Sequence, residues 1–505
     1  MPLKSVLLTF DRLILVLMFG CALGCQGIEI QRQDSSAAPH IVLILADDLG
    51  WGDPAGAGPD SLLETPSLDR IAAEGVRCTD AHSPSSVCTP TRYGVLTGRY
   101  AWRTRLRSGV LMGRSRALIE SDRTTLPSLL AAAGYRTSGV GKWHLGFKEN
   151  GYDKPLPGGP VDRGFGSYFG IRASTDIPPY FYIRGNQAVA PPTNHIEANN
   201  SKNWSPIQGA FWRAGGIAPG LQLKDVLPRF TDEAVTVIEA HAKSDADKPL
   251  MLYLAYPAPH TPWLPSPKFQ GSSKAGMYGD FLVMVDAMIG RVLKALDKAG
   301  MSEDTLLFFT SDNGPVWYDT DVQRLGHDSV GGLRGMKADA WEGGHRMPFI
   351  ARWPGKIRAG SVSGQTICFT DMLATFAAVV DAQLPRDAGP DSFNILPVLL
   401  GEQPEAKPIR GPLVIPARGG VMSIRSGHWK LITGLGSGGF SKPDGSGGFS
   451  KPNYIKPKPG GPRGQLYHLG NDLAETHNLY LEKPDIVKSL QAKLEQIRNL
   501  PRTRP

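Results

Sequence analysis

Two continuous apolar runs, each ending in acidic residues, constrain the fold of this chain most strongly. They are residues 41–46, followed by Asp47 and Asp48, and residues 305–310, followed by Ser311, Asp312 and Asn313. Unbroken apolar runs of this length are typical of strands buried on both faces of a mostly parallel sheet. In such sheets ligands bind at the carboxyl ends of the strands. The sequence therefore predicts an α/β fold with a polar site at one edge of the sheet.

The acidic residues after the two runs have two interpretations. Adjacent carboxylates such as Asp47 and Asp48 repel each other in a pocket unless a positive charge compensates them. A second acidic strand end, at Asp312 and Asn313, makes an oxygen-rich site for a divalent cation plausible. The alternative is that Asp47 and Asp48 only cap or solvate a loop before Gly50.

Residues 88–99 carry the most distinctive motif, which reads C-x-P-x-R followed by L-T-G-R. Pro90 is expected to open a helix with Cys88 at its start, where backbone amides stabilise negative charge. Arg92 follows one turn later and would supply a fixed cation beside Cys88. A lone cysteine is otherwise a small buried side chain. A thiolate phosphatase loop is a poorer match, because its arginine lies further from the cysteine and a glycine-rich cradle intervenes.

Other polar motifs follow predicted strands or turns. The strand over residues 135–140 leads into G-K-W-H-L-G, and the strand over 249–256 leads into P-A-P-H-T-P, whose prolines stiffen the loop. The segment 333–348 reads L-R-G-M-K-A-D-A-W-E-G-G-H-R-M-P, and G-I-R-A-S ends at residue 174. The candidate side chains in these motifs are Lys142, His144, Ser174, His260, Lys337, His345 and Arg346. Each of them alone also fits a surface lysine, a structural histidine or a turn residue.

Taken together and in this order, the motifs resemble those of type I sulfatases, the formylglycine-dependent, arylsulfatase A-like enzymes of the alkaline phosphatase-like superfamily. The resemblance covers roughly residues 39–500. It implies an α/β fold with a large mixed, mostly parallel sheet flanked by helices and a smaller C-terminal α+β subdomain. It also implies that a formylglycine-generating enzyme oxidises Cys88 to formylglycine, an aldehyde that hydrates to a geminal diol.

The resemblance assigns roles to individual residues. It implies a catalytic set, Cys88, Arg92, Lys142, His144, His260 and Lys337. It implies that the sulfate ester is bound by Lys142, Ser174, His260 and Lys337. It implies one Ca²⁺ ion on Asp47, Asp48, Cys88, Asp312 and Asn313, and oxygen ligands agree with calcium. His345 and Arg346 either line the pocket or hold the turn.

Two other functions remain open at this stage. One is a phosphonate or phosphate ester hydrolase of the same superfamily. The other is a non-catalytic protein that binds sulfated carbohydrate. The formal net charge of +8 favours polyanionic partners. The sequence contains no recognisable nucleic-acid-binding motif, so a sulfated polysaccharide or glycosaminoglycan is the preferred substrate class.

Five arginines that follow the motif give a second basic feature. They are Arg103, Arg105, Arg107, Arg114 and Arg116. With Trp102 they would recognise a polyanionic glycan, although on their own they are better explained by a solvated basic loop.

The first residues have the pattern of a signal peptide. Lys4 and Arg12 precede an apolar run over residues 13–24, which is short for a membrane span. Residues 1–24 are therefore expected to direct export to the periplasm or the exterior, with residues 25–38 as a linker. The sequence A-L-G-C at residues 22–25 resembles an imperfect lipobox, so membrane attachment depends on lipidation of Cys25. Cys78 and Cys368 either pair or stay reduced.

The remaining pattern divides the chain into a catalytic domain over residues 39–400 and a C-terminal subdomain over 401–505. The subdomain includes a Gly/Ser-rich loop at 434–463. This loop contains a tandem repeat G-S-G-G-F-S-K-P-[DN], with a first copy at 436–444 and a second copy at 445–453, that predicts flexibility. One strand is expected over residues 423–432. An irregular insertion over 178–225 is expected to shape the pocket. Helical patterns cover residues 66–75, 125–133, 230–241, 281–296 and 486–497.

Overall fold

A mixed sheet of ten strands forms the centre of the part of the chain that the computed structural model describes, residues 38–54, 61–244, 247–442 and 452–504. The strands are β1 (His40–Asp47), β2 (Val76–Cys78), β4 (Arg136–Lys142), β5 (Ser167–Ile171), β6 (Tyr182–Arg184), β7 (Gln187–Ala188), β10 (Leu250–Pro259), β11 (Thr305–Ser311), β12 (Phe349–Arg352) and β13 (Ser361–Ser363). Their order across the sheet is β13-β2-β12-β11-β1-β10-β4-β5-β6-β7.

Five neighbouring strands of this sheet run parallel, in the order β11, β1, β10, β4 and β5. The strand β12 pairs antiparallel with β11 on one side, and β6 pairs antiparallel with β5 on the other. The carboxyl ends of the five parallel strands therefore lie along one edge. This arrangement confirms the predicted mixed, mostly parallel sheet.

Helices cover both faces of the sheet, and the residues of β1 divide between the two cores. Ile41, Leu43 and Leu45 pack on one face, while Val42, Ile44 and Ala46 pack on the other. All six side chains are buried, as an unbroken apolar run predicts. In the described ranges the helices are α1 (Pro66–Ala73), α2 (Cys88–Thr97), α3 (Leu126–Ala132), α4 (Val226–Ser244), α5 (Gly276–Lys298), α6 (Asp319–Leu325), α7 (Met372–Val379), α8 (Leu396–Leu399) and α9 (Pro484–Asn499).

A separate antiparallel sheet of four strands forms the C-terminal subdomain with α9. Its strands are β15 (Leu413–Pro416), β16 (Met422–Ser426), β17 (Trp429–Ile432) and β18 (Gln465–His468). The prediction of one strand over residues 423–432 is wrong, because Gly427 adopts a left-handed φ of 60° and turns the chain into a hairpin. Two short sheets pair β3 (Ala81–His82) with β14 (Ile367–Cys368) and β8 (Asn194–Ile196) with β9 (Gly215–Ile217).

The Gly/Ser-rich loop differs from its prediction where it is described. Ser437, Phe440 and Ser441 of the first repeat copy are buried. Backbone hydrogen bonds tie Gly438 and Gly439 to Asn453, the last residue of the second copy. The prediction of a flexible loop is therefore wrong for residues 436–442, because packing against the catalytic domain fixes them. Residues 443–451 lie outside the described ranges.

Four further predictions concern the insertion, the cysteines, the signal peptide and the linker. The insertion over 178–225 is not wholly irregular, since it contains β6, β7, β8 and β9. Cys78 and Cys368 are both buried and carry no disulfide in the described part of the chain. The predicted signal peptide and nearly all of the linker lie outside the described residues. None of the described helices is long and apolar enough to cross a membrane.

Candidate active site

The five parallel strands deliver polar side chains to the same edge of the sheet. Each of them ends at or just before a residue predicted to act in the site. In sheet order these residues are Asp312 and Asn313 after β11, Asp47 and Asp48 at the end of β1, His260 after β10, Lys142 and His144 at the end of β4, and Ser174 after β5. The structure thus brings these candidate residues together, and two other elements complete the site.

Helix α2 supplies the candidate nucleophile and its arginine. Cys88 is the first residue of the helix, after Val87 in extended conformation, and only 3% of its surface is exposed. Arg92 is fully buried one turn later, where its Nε donates to Asp312 Oδ2 at 3.0 Å and its Nη1 donates to the Lys142 carbonyl at 3.1 Å. Arg92 therefore fixes Asp312 and the end of β4 relative to the start of α2.

Three buried carboxylates face three buried cations in this site. Lys142 Nζ donates to Asp47 Oδ2 at 2.5 Å. Lys337 Nζ, from the loop before β12, donates to both oxygens of Asp48 at 2.6 and 2.7 Å. Arg92 forms the third pair, with Asp312. Buried charges are tolerated when they are paired and hydrogen-bonded in this way.

The charges shift the pKa values of the acidic groups. Burial acts to raise the pKa of Asp47, but the surrounding cations, Lys142 foremost and then Arg92 and Lys337, together outweigh it and hold that pKa well below its usual range. Burial and the charge of Asp47 raise the pKa of Asp312 to about 7. Burial also raises the pKa of the Cys88 thiol to about 11, against the opposing effect of the two lysines. The unmodified thiol is therefore neutral at physiological pH and a weak nucleophile.

Two orphaned oxygens show how the site accommodates a metal ion. Asp47 Oδ1 and Asn313 Oδ1 are buried and have no hydrogen-bond partner among the described residues. Ligand atoms of Asp47, Asp48 and His260 also lie within 4.8 Å of one another. Carboxylate and amide oxygens are hard ligands that suit Ca²⁺ or Mg²⁺. The donor set of Asp47, Asp48, Asp312 and Asn313 therefore fits one divalent cation.

His260 lies between Ser174 and the carboxylates. Its Nδ1 donates to the Thr261 carbonyl at 2.6 Å and lies 3.4 Å from Ser174 Oγ. Ser174 in turn accepts from Lys142 Nζ at 3.0 Å. His260 Nε2 is left facing the centre of the site, 3.6 Å from Asp48 Oδ2. The ring is thus oriented by Nδ1 and presents Nε2 for proton transfer.

In His144 the two ring nitrogens have the opposite roles to those in His260. Its Nε2 donates to the Leu111 carbonyl at 2.7 Å, and its buried Nδ1 has no partner within the described ranges. Burial, together with the positive charge of Lys142, lowers its pKa well below the usual value. His144 is therefore a neutral imidazole whose Nδ1 accepts a proton.

Sequence reasoning missed the residues that support Lys337. Asp339 accepts hydrogen bonds from the backbone of Met336 at 2.9 Å and of Ser441, in the first repeat copy, at 3.1 Å. Phe440 of the same copy packs in an apolar cluster with Val87, the residue before Cys88. The first repeat copy thus forms part of the wall of the site. Only its phenylalanine, an apolar residue within a Gly/Ser-rich stretch, signalled this packing in the sequence.

The five arginines of the basic motif after α2 have different environments in the structure. Arg103 forms hydrogen bonds to both oxygens of buried Asp391 and is not available to a ligand. Arg105, Arg107, Arg114 and Arg116 remain exposed. His345 and Arg346 lie in a buried charge network at the C-terminal sheet, where they hold the turn.

The comparisons agree with this fold and site. Residues 39–382 match the family model described as Sulfatase, which covers more than half of the chain. The chain therefore belongs to the sulfatase family, as the motifs predicted, and it is a sulfuric ester hydrolase. The family generally uses formylglycine and a divalent metal.

Similar proteins are known both by sequence and by structure. The chain is 32% identical to an N-acetylgalactosamine-6-O-sulfatase of Bacteroides thetaiotaomicron, over 96% of this chain and 98% of that protein. It is 35% identical to arylsulfatase A of Homo sapiens, over 78% of this chain and 74% of that protein. A solved structure from a study of glycosaminoglycan metabolism by Bacteroides thetaiotaomicron superimposes with a TM-score of 0.79 at 30% identity, over 92% of this chain and 100% of that chain.

Proposed function

We propose that this sulfatase removes sulfate from a sulfated polysaccharide or glycosaminoglycan, through a formylglycine made from Cys88. The observation that carries the proposal is the position of Cys88 at the start of α2, beside Lys142 and Lys337 and the carboxylates of the strand ends. The substrate class is supported by the bacterial relative named for N-acetylgalactosamine 6-O-sulfate and by the net charge of +8.

Conversion of Cys88 gives the reaction a nucleophile that the thiol does not provide. A neutral buried thiol attacks weakly, and a serine or cysteine would remain trapped as its sulfated adduct. The hydrated aldehyde carries two hydroxyls on one carbon. One of them attacks, and the other allows the adduct to be released.

In the first step, Lys142 and Lys337 hold the sulfate oxygens and balance their charge. One hydroxyl of residue 88 attacks sulfur and gives its proton to the carboxylate of Asp312, whose charge acts on residue 88. The bond between sulfur and the ester oxygen breaks, and His260 Nε2 gives a proton to that oxygen, so that the alcohol leaves.

In the second step, His144 Nδ1 takes the proton from the remaining hydroxyl of residue 88. The electron pair of that oxygen re-forms the carbonyl, and the bond from the carbon to the sulfated oxygen breaks. Sulfate then leaves, and water rehydrates the aldehyde. The neutral state of His144 supports this role.

We propose that the divalent cation is Ca²⁺, held by Asp47, Asp48, Asp312 and Asn313. A bound cation supplies Lewis-acid stabilisation of the attacking oxygen. Removal of bound metal with a chelator is expected to lower both the melting temperature and the activity, because a ligand that binds only the native state stabilises it. Restoration by Ca²⁺ but not by Mg²⁺ supports the assignment, and full activity in metal-free protein would contradict it.

The experiment that tests the proposed function combines mass spectrometry with assays on paired substrates. Protein made with a formylglycine-generating enzyme is expected to carry an aldehyde at position 88 in the peptide from Cys78 to Arg92. Aryl sulfate is expected to be hydrolysed much faster than aryl phosphate, and Cys88→Ala should be inactive. Full activity with an intact thiol sinks the mechanism, and dominant phosphate turnover favours the phosphate ester alternative.

We also propose that residues 1–24 direct export. The support is the cationic start and short apolar run of the sequence. The amino terminus of the mature protein tests this, since cleavage before Cys25 with a lipid on that cysteine would show an anchored protein. An intact Met1 terminus on protein from the native host would contradict export by cleavage.

A further inference from the structure

A surface beside the Lys337 loop has no role in the chemistry described above. It consists of Arg418, Tyr454, Ile455, Lys456 and Lys458, and we call it the Tyr454 surface. Tyr454 and Ile455 flank the first repeat copy, since the Ile455 amide donates to the Leu435 carbonyl at 3.2 Å. The Tyr454 surface is therefore built on the segment that also walls the site.

Short backbone contacts join this surface to Lys337. The Arg418 amide donates to the carbonyl of Ala338, the residue after Lys337, at 2.9 Å. The Tyr454 hydroxyl donates to the Gly419 carbonyl at 2.6 Å. Only Ala338, Arg418 and Gly419 thus separate Lys337 from Tyr454 along this path. The Tyr454 surface is therefore linked to the Lys337 loop through two direct hydrogen bonds.

The apolar part of the surface is unusually exposed. Tyr454 is 57% exposed and Ile455 is 41% exposed. Because its hydroxyl is fixed on Gly419, the Tyr454 ring is held rather than free to fold back. An exposed, fixed aromatic face presents an apolar platform with a polar rim, which is typical of binding surfaces. Such a face suits the carbon-bound hydrogens of a sugar ring.

The charged part of the surface is positive and unpaired. Arg418, Lys456 and Lys458 form no salt bridge with any carboxylate in the described ranges. The Arg418 guanidinium lies 5.4 Å from the Phe440 ring centroid, in the first repeat copy. Lys456 and Lys458 are both exposed. Unpaired cations beside a catalytic site attract an anionic substrate within about a Debye length, roughly 8–10 Å at ordinary salt.

We infer that the Tyr454 surface binds the neighbouring sugars of an anionic polysaccharide while its sulfate ester lies at Lys142 and Lys337. The inference rests on the proposed function and narrows its substrate to chains longer than one sugar. Tyr454 stacks on a sugar ring, and Arg418, Lys456 and Lys458 contact the negative groups of that part of the chain. The occupant is a polyanionic glycan rather than a small aryl sulfate.

Binding to an inactive enzyme tests this inference without requiring turnover. Kd is measured by calorimetry on the Cys88→Ala protein, with chondroitin 6-sulfate hexasaccharide and N-acetylgalactosamine 6-sulfate as the two probes. The triple variant Tyr454→Ala, Lys456→Ser, Lys458→Ser is expected to weaken binding of the hexasaccharide about tenfold, as three exposed contacts permit. Its Kd for the monosaccharide should not change.

The control removes a matched set of exposed groups away from the site. Leu481→Ala, Lys488→Ser and Lys493→Ser delete one exposed apolar side chain and two lysines of the C-terminal region. Equal weakening in both triple variants would overturn the inference, because only net charge would then matter. The inference would also be overturned if the triple variant of the Tyr454 surface left the hexasaccharide Kd unchanged. It would be overturned as well if the Cys88→Ala parent bound the hexasaccharide no more tightly than the monosaccharide.

Aryl sulfate turnover by the triple variant with Cys88 retained separates the two proposals. It is expected to equal that of the wild type. A wild type that hydrolyses no sulfate ester contradicts the proposed function whatever the binding result. Normal hydrolysis with no effect of the triple variant on hexasaccharide binding contradicts only the role of the Tyr454 surface.

Discussion

Three residues of the site are held in a backbone conformation that side chains other than glycine rarely adopt. Asp48, His144 and Ala338 have φ values of 63°, 56° and 78°. Such conformations cost about 1–3 kcal/mol each and persist only where the surroundings impose them. Here backbone bonds do so, since the His144 amide donates to the Arg172 carbonyl and the Ala338 amide to the Ser86 carbonyl. Each turn aims a functional side chain: Asp48, His144 or the adjacent Lys337.

Arg92 is the residue on which most of the site depends. Arg92→Met removes the buried partner of Asp312 and the donor to the Lys142 carbonyl. The free energy of unfolding is expected to fall by about 3–5 kcal/mol, because a buried carboxylate loses its counter-charge. The value of kcat/KM should fall at least about a hundredfold as Asp312 and β4 shift. Denaturant titration and assays on aryl sulfate measure the two effects.

Arg410 provides a matched control for this prediction. It is also fully buried, and its Nη1 donates to Asp371 Oδ2 at 2.9 Å, away from the site. Arg410→Met should lose similar stability but keep kcat/KM per folded molecule within about twofold. A comparable loss of kcat/KM in both variants would show that Arg92 acts only through stability.

At the scale of elements, the central strands were predictable from sequence. A residue buried on both faces of a sheet must be apolar whatever its neighbours, so residues 41–46 and 305–310 identified β1 and β11 directly. The polar residues that follow then fell at one edge, because parallel strands end together. This reasoning placed Asp47, Asp48, Asp312 and Asn313 near one another from the amino-acid order alone.

The packing of the first repeat copy against the catalytic domain was not predictable in the same way. The composition of a glycine-rich segment predicts that the segment is flexible in isolation. It does not reveal the pocket into which Phe440 packs. That pocket is formed by Val87, Val316 and Met336, which are far apart in sequence. The support of Lys337 by Asp339 and Ser441 likewise depends on a contact across about a hundred residues. Such contacts leave no local pattern to read.

Substitution of Gly439 tests the role of the first repeat copy. A Cβ at this position would lie 2.2 Å from the Ala338 carbonyl oxygen, so Gly439→Ala must displace the turn after Lys337 or the repeat itself. We expect kcat/KM on aryl sulfate to fall about tenfold or more, and inorganic sulfate to inhibit more weakly, because Lys337 moves. Inhibition constants and kcat/KM are measured together.

The control for Gly439 is Gly411→Ala. A Cβ added at Gly411 would meet no atom within 4 Å, and the φ of this residue is not in the left-handed region. That substitution should leave kcat/KM and the inhibition by sulfate unchanged. Unaltered kinetics in Gly439→Ala would show that the repeat does not position Lys337.

At the scale of the whole molecule, a buried charge network joins the catalytic domain to the C-terminal sheet. Lys430 Nζ lies 3.1 Å from His345 Nε2, His345 Nδ1 lies 3.0 Å from His82 Nδ1, and His82 Nε2 lies 2.9 Å from Asp80 Oδ1. The contact between the two Nδ1 atoms has room for one proton, so one ring donates there and the other accepts. Two cations, Lys430 at His345 Nε2 and Arg425 Nη1 at 2.8 Å from His82 Nε2, oppose a further proton on either ring, so both imidazoles are neutral.

This network predicts a loss of stability in acid. Burial lowers the pKa of both His82 and His345 below 6.5, so the unfolded chain binds more protons than the folded chain once the pH falls below that value. Burial raises the pKa of Glu475 and Asp312 to about 7 and that of Asp339 to about 6, which acts in the opposite sense. These three carboxyls are outweighed by the imidazoles whose pKa is lowered, namely His40, His82, His144, His241 and His345. The free energy of unfolding should therefore decrease from pH 6.5 to pH 5 in urea titrations.

Substitution of one histidine isolates the contribution of the network. His345→Gln is expected to make the dependence of the free energy of unfolding on pH shallower by up to about 1.4 kcal/mol per pH unit, which corresponds to the binding of one proton. His195→Gln, at an exposed position, should leave the dependence unchanged. Identical slopes in wild type and His345→Gln would contradict the neutral assignment.

The depth of Cys88 has a consequence for the timing of maturation. With only 3% of its surface exposed and a fully buried helix continuing from it, the residue is out of reach of another enzyme in the finished molecule. Any catalyst that oxidises it must meet the polypeptide while it is still extended, before α2 closes against the strands. Under the proposed mechanism, activation of the protein is thus decided during synthesis, and a chain that folds first stays unconverted.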